Sequence, residues 1–207
     1  PLNENDPRIA AFDNDYEFTK FMAENLVKQY IHKGLFTVIV SLSKVFGPGM
    51  ETHPVSVNRM IKKFINGKPT FIPSPGSYIS NFCFIEDVIK GQQLAMEKGL
   101  AGEKYILGGE NVSYIEFFET IRTISKSKSR LITAPKFLAK LIAWLHWIKH
   151  IITNNDLFFT AKGLNHIYCN KAFSSSKATQ QLGYYPTTLK NALEKTIQFL
   201  NHQNHVH

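Results

Sequence analysis

Two cysteines, Cys83 and Cys169, are all that these 207 residues hold. They form no metal-ligand spacing and no disulfide framework. Both lie in apolar stretches, so two buried thiols in a reducing, cytoplasmic compartment are expected. No apolar run reaches the roughly 18 residues of a membrane-spanning helix, which excludes that class of segment. The 12 glycines never fall into the Gly-x-x-Gly-x-x-Gly layout that lays a pyrophosphate on a helix N-terminus. Arginine is scarce beside lysine, and the basic residues are scattered. Base reading favours clustered arginines within a known motif, so nucleic acid is not the expected partner. Acidic residues are absent between Glu119 and Asp156, where Arg122, Lys126, Lys128, Arg130, Lys136, Lys140 and Lys149 fall. His202, His205 and His207 have no cysteine or carboxylate spacing beside them, so they read as a flexible tail over 201–207 and no metal site is expected.

What is present is the composition of a globular chain, 43% hydrophobic and 13% aromatic with a net charge of +8. Helical spacing of Phe18, Phe21, Met22, Leu26 and Ile31 predicts a helix from Tyr16 to about Lys33, ended by Gly34. The β-branched run at 36–42 predicts a strand buried on both faces of a parallel sheet, broken by Gly47-Pro48-Gly49. Further helices are expected over 58–66, 87–98 and 135–152, from Ser175 or Ser176 to Gly183, and over 189–200. Strands are expected at 70–72, 78–85 and 105–107. Ser113 with Glu116 three residues on is a capping box for a helix to about Ser125. Strands alternating with helices make the fold class α/β.

Tyr16 and Lys20 stand four apart and share one face of their helix. A phenol titrates near 10 and is a poor proton donor or acceptor at neutral pH. An ammonium beside it stabilises the phenolate and brings it toward the working range. Such a pair moves a proton at a ketone or alcohol oxygen while hydride passes to or from a nicotinamide, and the lysine also reaches ribose hydroxyls. With 8 tyrosines and the many lysines of this chain, about 0.8 such spacings arise by chance. The following buried strand and the Gly-Pro-Gly turn supply the context that the spacing lacks.

The order of segments resembles the extended short-chain dehydrogenase/reductase family, part of the NAD-dependent epimerase/dehydratase superfamily. The likeness is to its dihydroflavonol-reductase-like and 3β-hydroxysteroid-dehydrogenase-like branch. Residues 16–24 resemble its Tyr-x-x-x-Lys helix, 38–49 its nicotinamide-side strand and loop, and 81–88 its strand and Asp-Val element. Residues 102–113 resemble its last sheet strand, and Ser176-Lys177-Ala178 with Gln181-Leu182-Gly183-Tyr184 and Pro186 its C-terminal signature. The resemblance implies a Rossmann-type parallel sheet with a small, mainly helical substrate lobe. It implies Tyr16 and Lys20 as catalytic residues, and Tyr16, Lys20, Leu42, Ser43 and Val45 against NADP or NAD. By position it puts Phe46, Met50, Arg59, Phe82 and the 135–152 helix beside the substrate.

Two departures from the family pattern matter. Leu42 stands where the family has proline, and Ser41 where it has asparagine or arginine, which changes how the loop is shaped. The glycine-rich turn lies upstream of the tyrosine in the family, so the chain is expected to be the C-terminal portion of a larger enzyme, with little catalysis of its own. Residues 1–50 and 84–110 then form the remnant of the cofactor domain, and 51–83 with 111–200 the substrate lobe. The open hydrophobic sheet edge predicts a homo-oligomer or pairing with an N-terminal half. The expected reaction is NAD(P)-dependent hydride transfer on an apolar ketone or alcohol. Nucleotide-sugar epimerase or dehydratase chemistry uses the same pair. A non-catalytic remnant serving as an interaction or membrane-surface module is the reading from another class. The 135–152 helix, with Trp144 and Trp147 beside its apolar stripe and Lys136, Lys140 and Lys149 outside it, has the pattern of an interfacial helix and would give shallow peripheral membrane contact.

Overall fold

Helix α1, Asp15–Ile31, is the first helix among the described residues and has no buried residue. The computed structural model describes residues 1–7, 12, 15–49, 56–153 and 163–204, with the side chains of 146–153, 166 and 204 outside the description. Gly34, at φ 95, closes the turn after α1, where a left-handed backbone favours glycine. The chain then enters β1, Ile39–Leu42. This strand is shorter than the run at 36–42: Phe36 is exposed ahead of it, and Leu42 is exposed at its end. Its expected burial on both faces is not seen. Among the described residues β1 pairs on one side only, in parallel with β5, Lys104–Leu107.

At Ser43 the backbone steps to a second sheet. β2, Lys44–Phe46, pairs in parallel with β4, Ile79–Phe84, and β4 pairs antiparallel with β6, Glu110–Ser113. A third, parallel pair joins β3, Thr70–Pro73, to β7, Leu131–Ala134. The pleat of β4 divides its side chains between two cores. Phe82 and Phe84 join Phe46 in an aromatic core with α2, Val57–Ile65, α4, Tyr114–Ser125, and α7, Leu189–Asn204. Phe82 stacks on Phe117 at 4.0 Å between ring centroids. On the opposite face Cys83 Sγ lies 3.6 Å from the Tyr184 hydroxyl. There Tyr184 packs with Tyr105, Leu107 and Leu182, under α3, Ile85–Lys98, and α6, Ser176–Leu182.

Polar anchors fix these layers. Asn81 donates to the Gly109 carbonyl at 2.9 Å and accepts from its N–H at 2.8 Å. Gly109 is required by space, because a Cβ there would stand 2.0 Å from the Phe82 carbonyl oxygen. Buried Asp87 accepts from the backbone N–H and hydroxyl of Thr187, both at 2.7 Å, and so ties α3 to the segment entering α7. The capping box forms as expected, with Glu116 N–H donating to Ser113 Oγ at 3.1 Å and Ser113 N–H to Glu116 Oε2 at 2.8 Å.

Several expectations shift. Residues 201–204, read as tail, continue α7, and 205–207 lie outside the described residues. β6 and β7 have no counterpart in the sequence reading. α6, assigned to the substrate lobe by sequence, packs with α3 and β5. Cys83 is buried, but Cys169 is exposed beyond the short turn Gly163–Ile167, so only one of the two thiols is a core group.

Candidate active site

Tyr16 and Lys20 lie one turn apart on α1, and the Lys20 ammonium is 5.6 Å from the Tyr16 ring centroid. The phenol is 70% exposed. α1 is tied to the β1–β5 pair through Glu24, which accepts from Lys104 Nζ at 2.9 and 3.0 Å and also pairs with Lys28 at 2.8 Å. Burial acts to raise the Glu24 pKa, and the two lysines more than offset it, so the carboxyl sits below its ordinary value.

The second group follows the end of β1. Leu42 is exposed, while Val45 is half-buried on β2 opposite Cys83. Between them the Ser43 hydroxyl is buried and, among the described residues, lacks a hydrogen-bond partner of ordinary geometry. It lies close enough to the Cys83 thiol to act weakly on it, though burial dominates there and pushes that thiol up to about 11. A buried hydroxyl in this state is a group that a ligand can satisfy. The Ser43 hydroxyl and the exposed Lys20 ammonium are each donors of the kind that a dinucleotide's amide and ribose groups accept.

Of the four residues placed beside the substrate by position, the three that are described are not gathered at one surface. Phe46 and Phe82 are core side chains, 2% and 4% exposed. Arg59 is exposed on α2, where its backbone N–H donates to the N-cap Ser56 Oγ at 3.2 Å. Met50 lies outside the described residues.

One cluster escaped the sequence reading. Lys44, half-buried on β2, donates to the Tyr114 hydroxyl, and its ammonium lies 4.7 Å from the Tyr114 ring centroid and 5.7 Å from that of Phe82. Burial lowers its pKa to about 8; Lys171 pushes the same way and the Cys169 thiol opposes. Burial likewise raises Tyr114 to about 12. The signal was available: Lys44 is a charged residue within the apolar stretch from Ile39 to Phe46. Charge set into a strand that pairs at a core marks either a buried ion pair or a ligand site.

Comparison with known proteins bears on this geometry. Residues 3–108 match the family described as "NAD dependent epimerase/dehydratase family". The 3beta-hydroxysteroid-dehydrogenase/decarboxylase isoform 1 of Arabidopsis thaliana is 26% identical over 219 residues, covering 97% of this chain and 48% of that protein. A putative dihydroflavonol 4-reductase of Synechocystis is 26% identical over 194 residues, covering 92% of this chain and 55% of that protein. The chain therefore spans about half the length of these curated relatives. Among solved structures, the UDP-glucuronic acid 4-epimerase of Bacillus cereus in complex with NAD superposes with a TM-score of 0.72 at 22% identity, covering 98% of this chain and 56% of that one. That likeness supports a Rossmann-type fold.

Proposed function

The chain belongs to the NAD dependent epimerase/dehydratase family, and from that premise we propose that it carries the proton-transfer side of a hydride-transfer site, with Tyr16 as acid/base and Lys20 as its partner. The observation that carries this reading is the Tyr16–Lys20 pair, held on one helix face with its ammonium 5.6 Å from the ring. NAD or NADP, when bound, supplies the hydride acceptor or donor. Everything else falls to this chain. The Tyr16 hydroxyl hands its proton to a carbonyl oxygen in reduction, or takes one from an alcohol in oxidation. The Lys20 ammonium stabilises the phenolate so formed and donates to ribose hydroxyls. Leu42, Ser43 and Val45 line the nicotinamide side, with the Ser43 hydroxyl as the polar member. On the substrate side Phe46 and Phe82 are buried, so their part is to back the site from the core, and Arg59 on α2 is the exposed member.

We take the preferred substrate to be an apolar ketone or alcohol, because the wall behind β2 and β4 is aromatic. One observation favours a second reading. Lys44 with Lys171 places positive charge beside Tyr114, which suits the phosphates of a nucleotide sugar. The glycine-rich phosphate turn is not among these 207 residues, so cofactor binding by this chain alone is expected to be weak.

The test uses the protein at its natural length. Tyr16→Phe is expected to lower turnover by roughly 10²- to 10⁴-fold while NADH binding, followed by fluorescence, is retained. Unchanged turnover would remove Tyr16 from the mechanism. Turnover of ketones against nucleotide sugars separates the two substrate readings.

A further inference from the structure

Helix α5, Lys136–Thr153, is built inside out. An amphipathic helix normally turns its large apolar side chains to its own core. Here the inward residues are small: Ala143 is buried and Ala139 half-buried, packed with Leu164, Ile167, Tyr168 and Tyr78. The large apolar side chains Phe137, Leu138, Leu141, Ile142, Trp144 and Leu145 face outward, from 40% exposed at Leu138 to 73% at Phe137. The strand leading in carries exposed Ile132, paired in register with exposed Phe71 of β3.

Charge narrows what covers this face. Lys136 and Lys140 are exposed on the helix, and Lys126, Lys128 and Arg130 are exposed on the segment before β7. The sequence has no acidic residue between Glu119 and Asp156 to balance them. An apolar face flanked by lysines, with tryptophan among the apolar residues, complements an interface that is hydrocarbon below and anionic above. Among the described residues no helix is long and apolar enough to cross a membrane, so such a contact lies along the surface. We propose that the outer face of α5 is a docking surface for a lipid membrane bearing anionic headgroups. The inference stands on α5 and the basic segment before β7, and does not depend on the Tyr16–Lys20 reading.

The chain reports on itself here, because both of its tryptophans, Trp144 and Trp147, are in this helix. Phosphatidylcholine vesicles with and without phosphatidylserine are the probe, read by co-sedimentation and by tryptophan emission. Binding with a blue shift is expected on the phosphatidylserine vesicles and weak binding on phosphatidylcholine alone. The double change Lys136→Gln with Lys140→Gln is expected to weaken binding about 25-fold, near five-fold per charge. Leu141→Ser with Ile142→Ser is expected to abolish the shift. Both pairs are exposed, circular dichroism checks their fold, and the lysine pair leaves the apolar packing untouched. No sedimentation with phosphatidylserine vesicles would overturn the proposal, as would equal binding to both vesicle types. Self-association lost in the Leu141/Ile142 variant, without vesicle binding, would assign the face to a second copy instead.

Discussion

The aromatic core of β2, β4, α2, α4 and α7, which forms one lobe of the packing, and the α1–β1 edge are made from similar residues and end in opposite states. In the lobe, Phe46, Phe64, Phe82, Phe117 and Phe118 are all buried against one another. On α1, Phe18, Phe21, Met22, Leu26 and Tyr30 recur at the same kind of spacing and all remain exposed. Apolar periodicity states that a helix has a face to bury, and only a partner decides whether it does. The lobe brings its partners within the chain, through β4 at the centre of its sheet and helices on the packed face. Among the described residues the edge has one strand neighbour for β1, an ion pair at Glu24, and ring contacts from Phe12 to Phe18 and Phe21 at 5.4 and 5.1 Å between centroids. The residues proposed for proton transfer therefore sit on the part of the fold that its own packing holds least.

This contrast can be broken at several points. The largest effect is expected at the lobe core, where Phe117→Ala should cost about 4 kcal/mol in chemical denaturation. Phe21→Ala on α1 should stay within about 0.5 kcal/mol. Equal costs would erase the distinction. Next comes the tie between α3 and α7: Asp87→Ala strands the Thr187 N–H and hydroxyl and should cost about 3 kcal/mol, with Asp87→Asn costing less.

Lys44 sharpens the comparison because it sets a largely buried ammonium against the aromatic rings of the lobe. Its folded pKa, about 8, lies below the ordinary 10.5, chiefly through burial. Between those values the unfolded chain holds a proton that the folded chain has released, so stability due to Lys44 rises with pH across that window. Lys44→Met should therefore stabilise the protein by about 2 kcal/mol at neutral pH, allowing for partial solvent screening. The gain should shrink as pH passes from about 8 to 10.5. A gain independent of pH would mean that burial of the ammonium is not its source. The smallest effect belongs to the edge. Glu24→Gln should cost under about 1 kcal/mol. Because the folded Glu24 pKa lies below its ordinary 4.5, its contribution is present above that value and disappears as pH falls through the folded pKa. Urea midpoints for both proteins across that range check it.

How much of this was legible in the sequence follows from which forces are local. Helix ends were readable because caps act within three or four residues, as Ser113 with Glu116 and the left-handed Gly34 show. The Tyr16–Lys20 pair was readable because helical geometry alone brings i and i+4 together. β6 was not, since its pairing with β4 joins residues such as Ser80 and Val112 that only the fold makes neighbours. β7 likewise depends on β3, about sixty residues earlier in the chain. The step at Ser43, which turns one expected strand into β1 and β2 in different sheets, leaves no mark in hydrophobicity. Cys169 was misread for a related reason, because apolar neighbours in sequence do not decide which side of a turn faces water. Placing Phe46 and Phe82 in the core needed the cross-strand register that stacks Phe82 on Phe117.

The division between lobe and edge is tested most directly by amide hydrogen exchange on this chain, comparing α1 with α4. The account predicts that α4 amides are protected up to the global unfolding free energy, while those of α1 exchange through local opening, faster by orders of magnitude. Equal protection of the two helices would contradict it, because α1 would then be held by packing that the described fold does not contain.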